Sequence, residues 1–392
     1  MSRWKTFRIG DLVEPVKSWN PLRSDPDDTF QYVDLSAVDQ SLKRIVTARE
    51  VPCAEAPSRA KQLVKANDVL VSTVRPNLNG VAQVGQELDG STASTGFCVL
   101  RPRSNLLSSS YLFHWVKTEQ FIADMVRKAT GASYPAVSDK IILESTIAAP
   151  PLPEQRRIAA ILDQADALRA KRREALAQLD SLTQSIFIEM FGDPLTNPMG
   201  WPDAKLGDLT LSASDGPHVS PTYAESGIPF LSTRHVRPGE VTWDDMKFIS
   251  PSDAAIQWKK CKPQLGDILY TKGGTTGFAA IVDTAIEFAV WVHVALLKPN
   301  LLKVHAKWLE CMLNSAYCYR QSQDFTHGIA NRDLGLKRMV NIRMYQPPLS
   351  LQNEFASRML VHSALVKSNR EALAELDRLF ASLQHRAFQG EL

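Results

Sequence analysis

A chain of 392 residues with 44% apolar composition can bury more than one core, so two or more domains are expected. Its formal charge of +3 is well short of that of a sequence-blind nucleic-acid coat, so any DNA contact must come from local patches or shared surfaces. There is no run of 18 apolar residues, MSRWKTFRIGDLVEP lacks the apolar core of a signal peptide, and Cys53, Cys98, Cys261, Cys311 and Cys318 form no C-x-x-C pair. The expectation is therefore a cytoplasmic protein without membrane span, disulfide framework or zinc cluster.

Residues 1–148 read as mixed α/β, with Val69-Leu70-Val71 and Phe97-Cys98-Val99-Leu100 as strands between turn residues and a helical stretch over 111–128. The turn after the first of these strands holds Ser72, Thr73, Arg75, Asn77 and Asn79. Arg and Asn read base edges bidentately, whereas small hydroxyls suit phosphate oxygens, so these five are candidate DNA contacts, with Ser94 and Tyr134 beside them.

Pro150, Pro151 and Pro153 resist helix before Glu154, and Gly192-Asp193-Pro194 supplies a stop, bracketing a helix over 154–191. At 1.5 Å per residue that is a rod of roughly 57 Å. Read in sevens, its seam runs through Ile158, Ile161, Ala165, Leu168, Arg172, Ala175, Leu179, Leu182, Ile186 and Glu189, with Leu162 and Leu176 widening the stripe. Such a stripe wants a partner helix, and a polar residue mid-seam fixes register.

The second half repeats the first. Trp201 stands 197 residues after Trp4, Gly207-Asp208-Leu209 after Gly10-Asp11-Leu12, Gly328 after Gly131, and Asp267-Ile268-Leu269 stands 199 after Asp68-Val69-Leu70. Strands are expected at Ile268-Leu269-Tyr270 and Val294-Ala295-Leu296-Leu297, and a helical stretch over 306–322. His218, Arg234, His235, Lys272, Thr275, Asn331 and Arg332 are the corresponding candidate DNA contacts. PPLSLQNEFASRML then echoes PPLPEQRRIAAILD, and a second long helix is expected over 351–389, with Phe355, Arg358, His362, Leu365, Asn369, Ala372, Leu376, Leu379, Leu383 and Arg386 on its seam and Met359, Leu373 and Phe380 widening it. A repeat of this length means a tandem duplication. The fold expected is α+β: a pseudo-twofold pair of α/β domains, mutually divergent, separated by two long helices packed antiparallel as a coiled coil.

No G-x-x-x-x-G-K-[ST] or H-E-x-x-H is present, and Gln346-Pro347-Pro348-Leu349 and Ala149-Pro150-Pro151-Leu152 fail as base-holding methyltransferase loops. Pro202-Asp203-Ala204-Lys205 lacks the companion carboxylate of a nuclease site. These absences argue against a self-contained methyltransferase-nuclease, and leave a coiled-coil adaptor as the other competing class.

PPLPEQRRIAAILDQADALR, GDILYTKGGTTG and SDGPHVSPTYAESGIPFL, in this order and duplicated, resemble the specificity (S) subunit of type I restriction-modification systems over essentially the whole chain. One departure is Ser350-Leu351-Gln352 where the first helix entry has Pro153-Glu154-Gln155. The resemblance implies target recognition domain 1 over 1–148, a spacer helix over 149–193, target recognition domain 2 over 194–346 and a second spacer helix over 347–392. It implies a non-catalytic subunit whose domains each read half of a bipartite DNA target, with the helices setting the spacing. It implies as partners two methyltransferase (modification) subunits and the restriction/translocase subunits. No cofactor would be bound directly; S-adenosylmethionine, ATP and Mg would sit on those partners. Gln155, Arg156, Arg169 and Gln352 on the helices would be the docking residues.

Overall fold

The computed structural model describes residues 4–329 and 331–392. The chain forms two compact units, Met1–Glu174 with Arg370–Leu392, and Ala175–Asn369. In the first unit one four-stranded sheet has the order Val13–Glu14, Phe97–Pro102, Val69–Ser72, Val81–Gln83, all antiparallel. A second has the order Arg49–Pro52, Thr29–Val33, Thr92–Ser94, Ala60–Leu63, with a parallel central pair. In the second unit the order Thr210–Asp215, Val294–Pro299, Ile268–Gly273, Thr275–Ile281 repeats the first sheet strand for strand. The other sheet keeps the parallel pair, Ile228–Leu231 with Ala289–Val290, but its outer strands differ and a helix, Pro251–Trp258, is added.

The expected strands lie at Val69–Ser72, Phe97–Pro102, Ile268–Gly273 and Val294–Pro299. Their first three or four residues are apolar because both faces are covered there, and alternate residues enter different cores. Val69 and Val71 enter one core of the first unit and Leu70 the other; Ile268 and Tyr270 are divided from Leu269 in the same way. The repeated Asp before each strand closes the turn that leads into it. Asp68 accepts from the Lys65 amide at 2.8 Å and is clamped by Arg101 through Nε at 2.9 Å and Nη2 at 2.7 Å. Asp267 accepts from the Gln264 amide at 2.9 Å and pairs with Lys298 at 2.8 Å.

The stretches over 111–128 and 306–322 are each two helices rather than one: Ser109–Val116 and Glu119–Lys128, then Ala306–Leu313 and Ala316–Asp324. A hydroxyl restarts the second helix each time, Thr118 accepting from the Phe121 amide and Ser315 from the Cys318 amide.

The long helices are Leu152–Phe191 and Leu349–Gln389, and each contributes to both units. In the first unit Arg157 donates to the Leu392 carbonyl and Arg169 to Asp377, so the two segments run antiparallel. Phe388 packs on Tyr111 and Trp115 with ring centroids 5.0 Å apart, joining the helices to the domain core. In the second unit His362 Nε2 lies 2.8 Å from the Leu179 carbonyl oxygen and Phe355 packs on Phe187 at 5.6 Å, again antiparallel.

The seam differs from the heptad expectation. Leu168, Leu182, Leu365 and Leu379 are 41–55% exposed, whereas Leu162, Met359 and Phe380 are buried. Each helix packs on a domain as well as on its partner, so its buried face follows the helical period of 3.6 rather than 3.5. Asn369 is buried mid-seam as expected, its amide donating to the Leu365 carbonyl at 2.8 Å. All five cysteines are free thiols. Among the described residues no helix is long and apolar enough to cross a membrane, and no cluster of His, Cys, Asp or Glu is placed to hold a metal ion.

Candidate nucleic-acid interface

One backbone arrangement is built twice, at the loops that close each central sheet. In the first unit Thr73 N donates to the Gly96 carbonyl at 2.9 Å, Arg75 N to Pro135 at 2.7 Å and Val137 N to Thr73 at 2.9 Å. In the second unit Lys272 N donates to His293 at 2.9 Å, Gly274 N to Arg332 at 2.9 Å and Leu334 N to Lys272 at 2.7 Å. These are the same three bonds at the two repeat offsets. Paired amide–carbonyl exchanges Thr130–Ala136 and His327–Asp333 close the outer loops. Both outer loops turn on a glycine of positive φ, Gly131 at 102° and Gly328 at 89°. A Cβ there would sit 2.9 Å from the Tyr134 oxygen or 2.3 Å from that of Asn331, so any other residue would be strained.

The side chains on the two cages differ. Arg75 takes the left-handed conformation, φ 50°, where the second unit has Gly274 at φ 68°. That conformation costs a non-glycine residue about 1–2 kcal/mol. Such strain persists where the surroundings over-determine it and concentrates at functional positions. Here the Pro135 bond fixes the backbone while the guanidinium lies 4.8 Å from the exposed Tyr134 ring. In the second unit Asn331 and Arg332 replace Tyr134 and Pro135, and Arg332 Nη2 donates to Gln323 Oε1 at 2.6 Å. Gln323 in turn donates to the Thr276 carbonyl at 3.0 Å. Each cage thus carries one arginine, hung from opposite sides.

Arg75, Asn77 and Tyr134 are brought together and exposed, as are Thr275, Asn331 and Arg332. Other candidates are corrected, because their polar atoms are spent inside. Thr73 Oγ1 donates to the Gly96 carbonyl and Ser94 Oγ accepts from the Gly96 amide. Ser72 is half-buried and donates to the Val74 carbonyl; Asn79 is buried, and its backbone carbonyl accepts from Lys43 Nζ at 2.6 Å. Lys272 is buried between two carboxylates. His235 is buried and accepts from the Ser232 amide at 2.9 Å as a cap; burial holds its imidazole below its ordinary pKa. Arg234 is exposed and donates to the Asp245 carbonyl, and His218 is exposed. Gln323 and Lys43 were missed by the sequence: Gln323 lies in the last turn of the Ala316–Asp324 helix and Lys43 in a remote hairpin, with no local signal.

The expected docking residues are also corrected in part. Gln155 is buried: Oε1 accepts from the Ser108 amide at 2.8 Å, and Nε2 donates to the Leu106 and Pro150 carbonyls at 3.0 and 2.8 Å. Gln352 repeats the clasp with the His305 amide at 2.9 Å and the Lys303 and Pro347 carbonyls at 3.4 and 2.8 Å. Neither amide has a group to offer a partner; the Pro-Pro-x-x-x-Gln pattern is a device that fastens each helix to its domain. Arg169 is 17% exposed in its side chain, bonded to Asp166 and Asp377 and 4.3 Å from the Phe380 ring. Arg156 is exposed.

Residues 1–178 match the model of the type I restriction modification DNA specificity domain. The chain is 20% identical to the type I restriction enzyme MjaVIII specificity subunit of Methanocaldococcus jannaschii, over 99% of this chain and 93% of that one. It is 23% identical to the EcoKI specificity subunit of Escherichia coli strain K12, over 85% and 76%. A chain solved in work on complex assembly and conformational transition of the type I R-M system shares 27% identity with a TM-score of 0.63, covering 99% of this chain and 98% of that one. The S subunit of a type I system from M. genitalium has the same fold, with a TM-score of 0.60 at 12% identity over 99% and 96%. The likeness runs along the whole length and on a duplicated architecture, and the proteins it joins to this chain are type I restriction-modification specificity subunits.

Proposed function

We propose that the chain is the non-catalytic DNA-reading subunit of a type I restriction-modification complex, each cage reading one half of a bipartite duplex target. The observation that carries this is one hydrogen-bond cage built twice with different exposed side chains, Arg75, Asn77 and Tyr134 in one and Thr275, Asn331 and Arg332 in the other. Arginine and asparagine meet guanine and adenine edges bidentately in the major groove, and threonine hydroxyls suit either bases or phosphates. A rigid backbone with exchangeable tips gives two half-site specificities from one fold.

Specificity subunits of type I systems work in complexes with modification and restriction subunits and bind DNA. For this chain the partners would be two modification subunits and the restriction subunits, docked along helix faces that include Arg156. The helices of 40 and 41 residues would set the spacing between half-sites. S-adenosylmethionine, ATP and Mg would be held by the partners, this chain supplying sequence choice in the cytoplasm.

The test is methylated-adenine mapping in cells making this chain with its modification subunit, against cells lacking the chain alone. A split motif that vanishes with the chain, and whose halves change separately when residues 1–148 or 200–346 are exchanged, is expected. Methylation that is unchanged without the chain would refute the proposal and favour a coiled-coil adaptor.

A further inference from the structure

Four charged groups of the second unit form a chain that the first unit lacks. Lys272, whose side chain is 6% exposed, places Nζ 3.2 Å from Asp215 Oδ2 and 3.2 Å from Asp333 Oδ1. Lys260 pairs with the other oxygen of Asp215. Asp333 is the residue that closes the outer loop carrying Asn331 and Arg332, exchanging both backbone bonds with His327. Arg338 reaches its carbonyl oxygen at 2.9 Å and lies 3.6 Å from its Oδ2. The equivalent positions of the first unit are Thr73 and Ala136: the threonine bonds a backbone carbonyl and the alanine carries no charge. There the loop is held by backbone bonds and by Arg75 lying over Tyr134.

A buried lysine between two carboxylates persists only when its geometry is well satisfied, and here it is the group that ties Asp333 on the outer loop to the buried Asp215. Its position also bars it from DNA: the ammonium that the sequence offers as a phosphate contact is turned inward. We infer that Lys272 is a positioning residue for the second half-site, its ion pairs to Asp215 and Asp333 holding the loop of Asn331 and Arg332 in reading geometry.

This inference rests on the DNA-reading function proposed above, and the test separates the two. The full chain is assembled with its modification subunit, and binding is measured on the duplex found by methylation mapping, on duplexes with single base changes in either half, and across a salt series. Lys272→Met is expected to lower discrimination in the second half-site about tenfold, the size of one lost base contact, with the first half-site unchanged. The salt slope should stay as in the wild type, because no phosphate contact is lost. A slope reduced by about one with discrimination intact would make Lys272 a phosphate contact and overturn the inference. Destabilisation by itself lowers the active fraction for every duplex alike and leaves the ratios unmoved. Asp333→Ala, at a side chain 46% exposed, should show the same half-site effect and decides the matter if the lysine variant does not fold. Unchanged discrimination in Asp333→Ala overturns the inference. A wild-type complex without sequence preference would instead refute the DNA-reading function itself.

Discussion

Gln155→Ala tests whether the first helix entry is an internal clasp or a docking surface. The amide makes three hydrogen bonds, at 2.8, 3.0 and 2.8 Å, and its residue is 1% exposed. At about 1 kcal/mol net each, with the buried Pro150 carbonyl and the part-buried Ser108 amide and Leu106 carbonyl losing their partner, the loss should be about 3 kcal/mol. In the second clasp the bond to Lys303 is 3.4 Å, near the limit of a hydrogen bond, so Gln352→Ala should cost less, about 2–3 kcal/mol. Two units make a single two-state transition unsafe, so urea unfolding should be combined with amide hydrogen exchange. Ser108 should lose protection in the first variant and His305 in the second. A cost below about 1 kcal/mol with Ser108 still protected, and loss of modification-subunit binding instead, would refute the clasp.

Arg75→Gly should hold or raise stability by about 1 kcal/mol by relieving the left-handed backbone, while discrimination in the first half-site falls by about 1–3 kcal/mol; a drop in stability would refute the strain. Asp68→Ala leaves Arg101, 13% exposed in its side chain, without its clamp and should destabilise the first unit by about 3–5 kcal/mol in urea unfolding. His114 is 1% exposed, and burial lowers its pKa from 6.5 despite Asp163 at 2.7 Å. Its Nδ1 has no hydrogen-bond partner among the described residues. The folded form therefore binds the proton less readily than the unfolded one, so stability present above pH 6.5 is lost as pH falls from there toward the lower folded value. Unfolding midpoints from pH 8 to 5 should show that slope, and His114→Gln should flatten it.

The sequence by itself determined the duplication, the long helices to within two residues at their starts, the apolar strands and the turns leading into them. Proline stops, glycine ends, apolar runs and an Asp three residues after the amide it accepts from are properties of one segment and its neighbours along the chain. The polar turns were legible as turns for the same reason. Tertiary structure decided which of their side chains face outward. Thr73 and Lys272 stand at the same place in the two cages, yet one is tied to the Gly96 carbonyl and the other to Asp215 and Asp333, partners 23 to 61 residues away. The helix entries likewise looked like docking surface until Gln155 and Gln352 met carbonyls 49 residues back. The heptad seam shifted because each helix packs on a domain as well as on its partner helix. Exposure and hydrogen-bond partnership depend on contacts between distant segments, and local spacing carries no record of them.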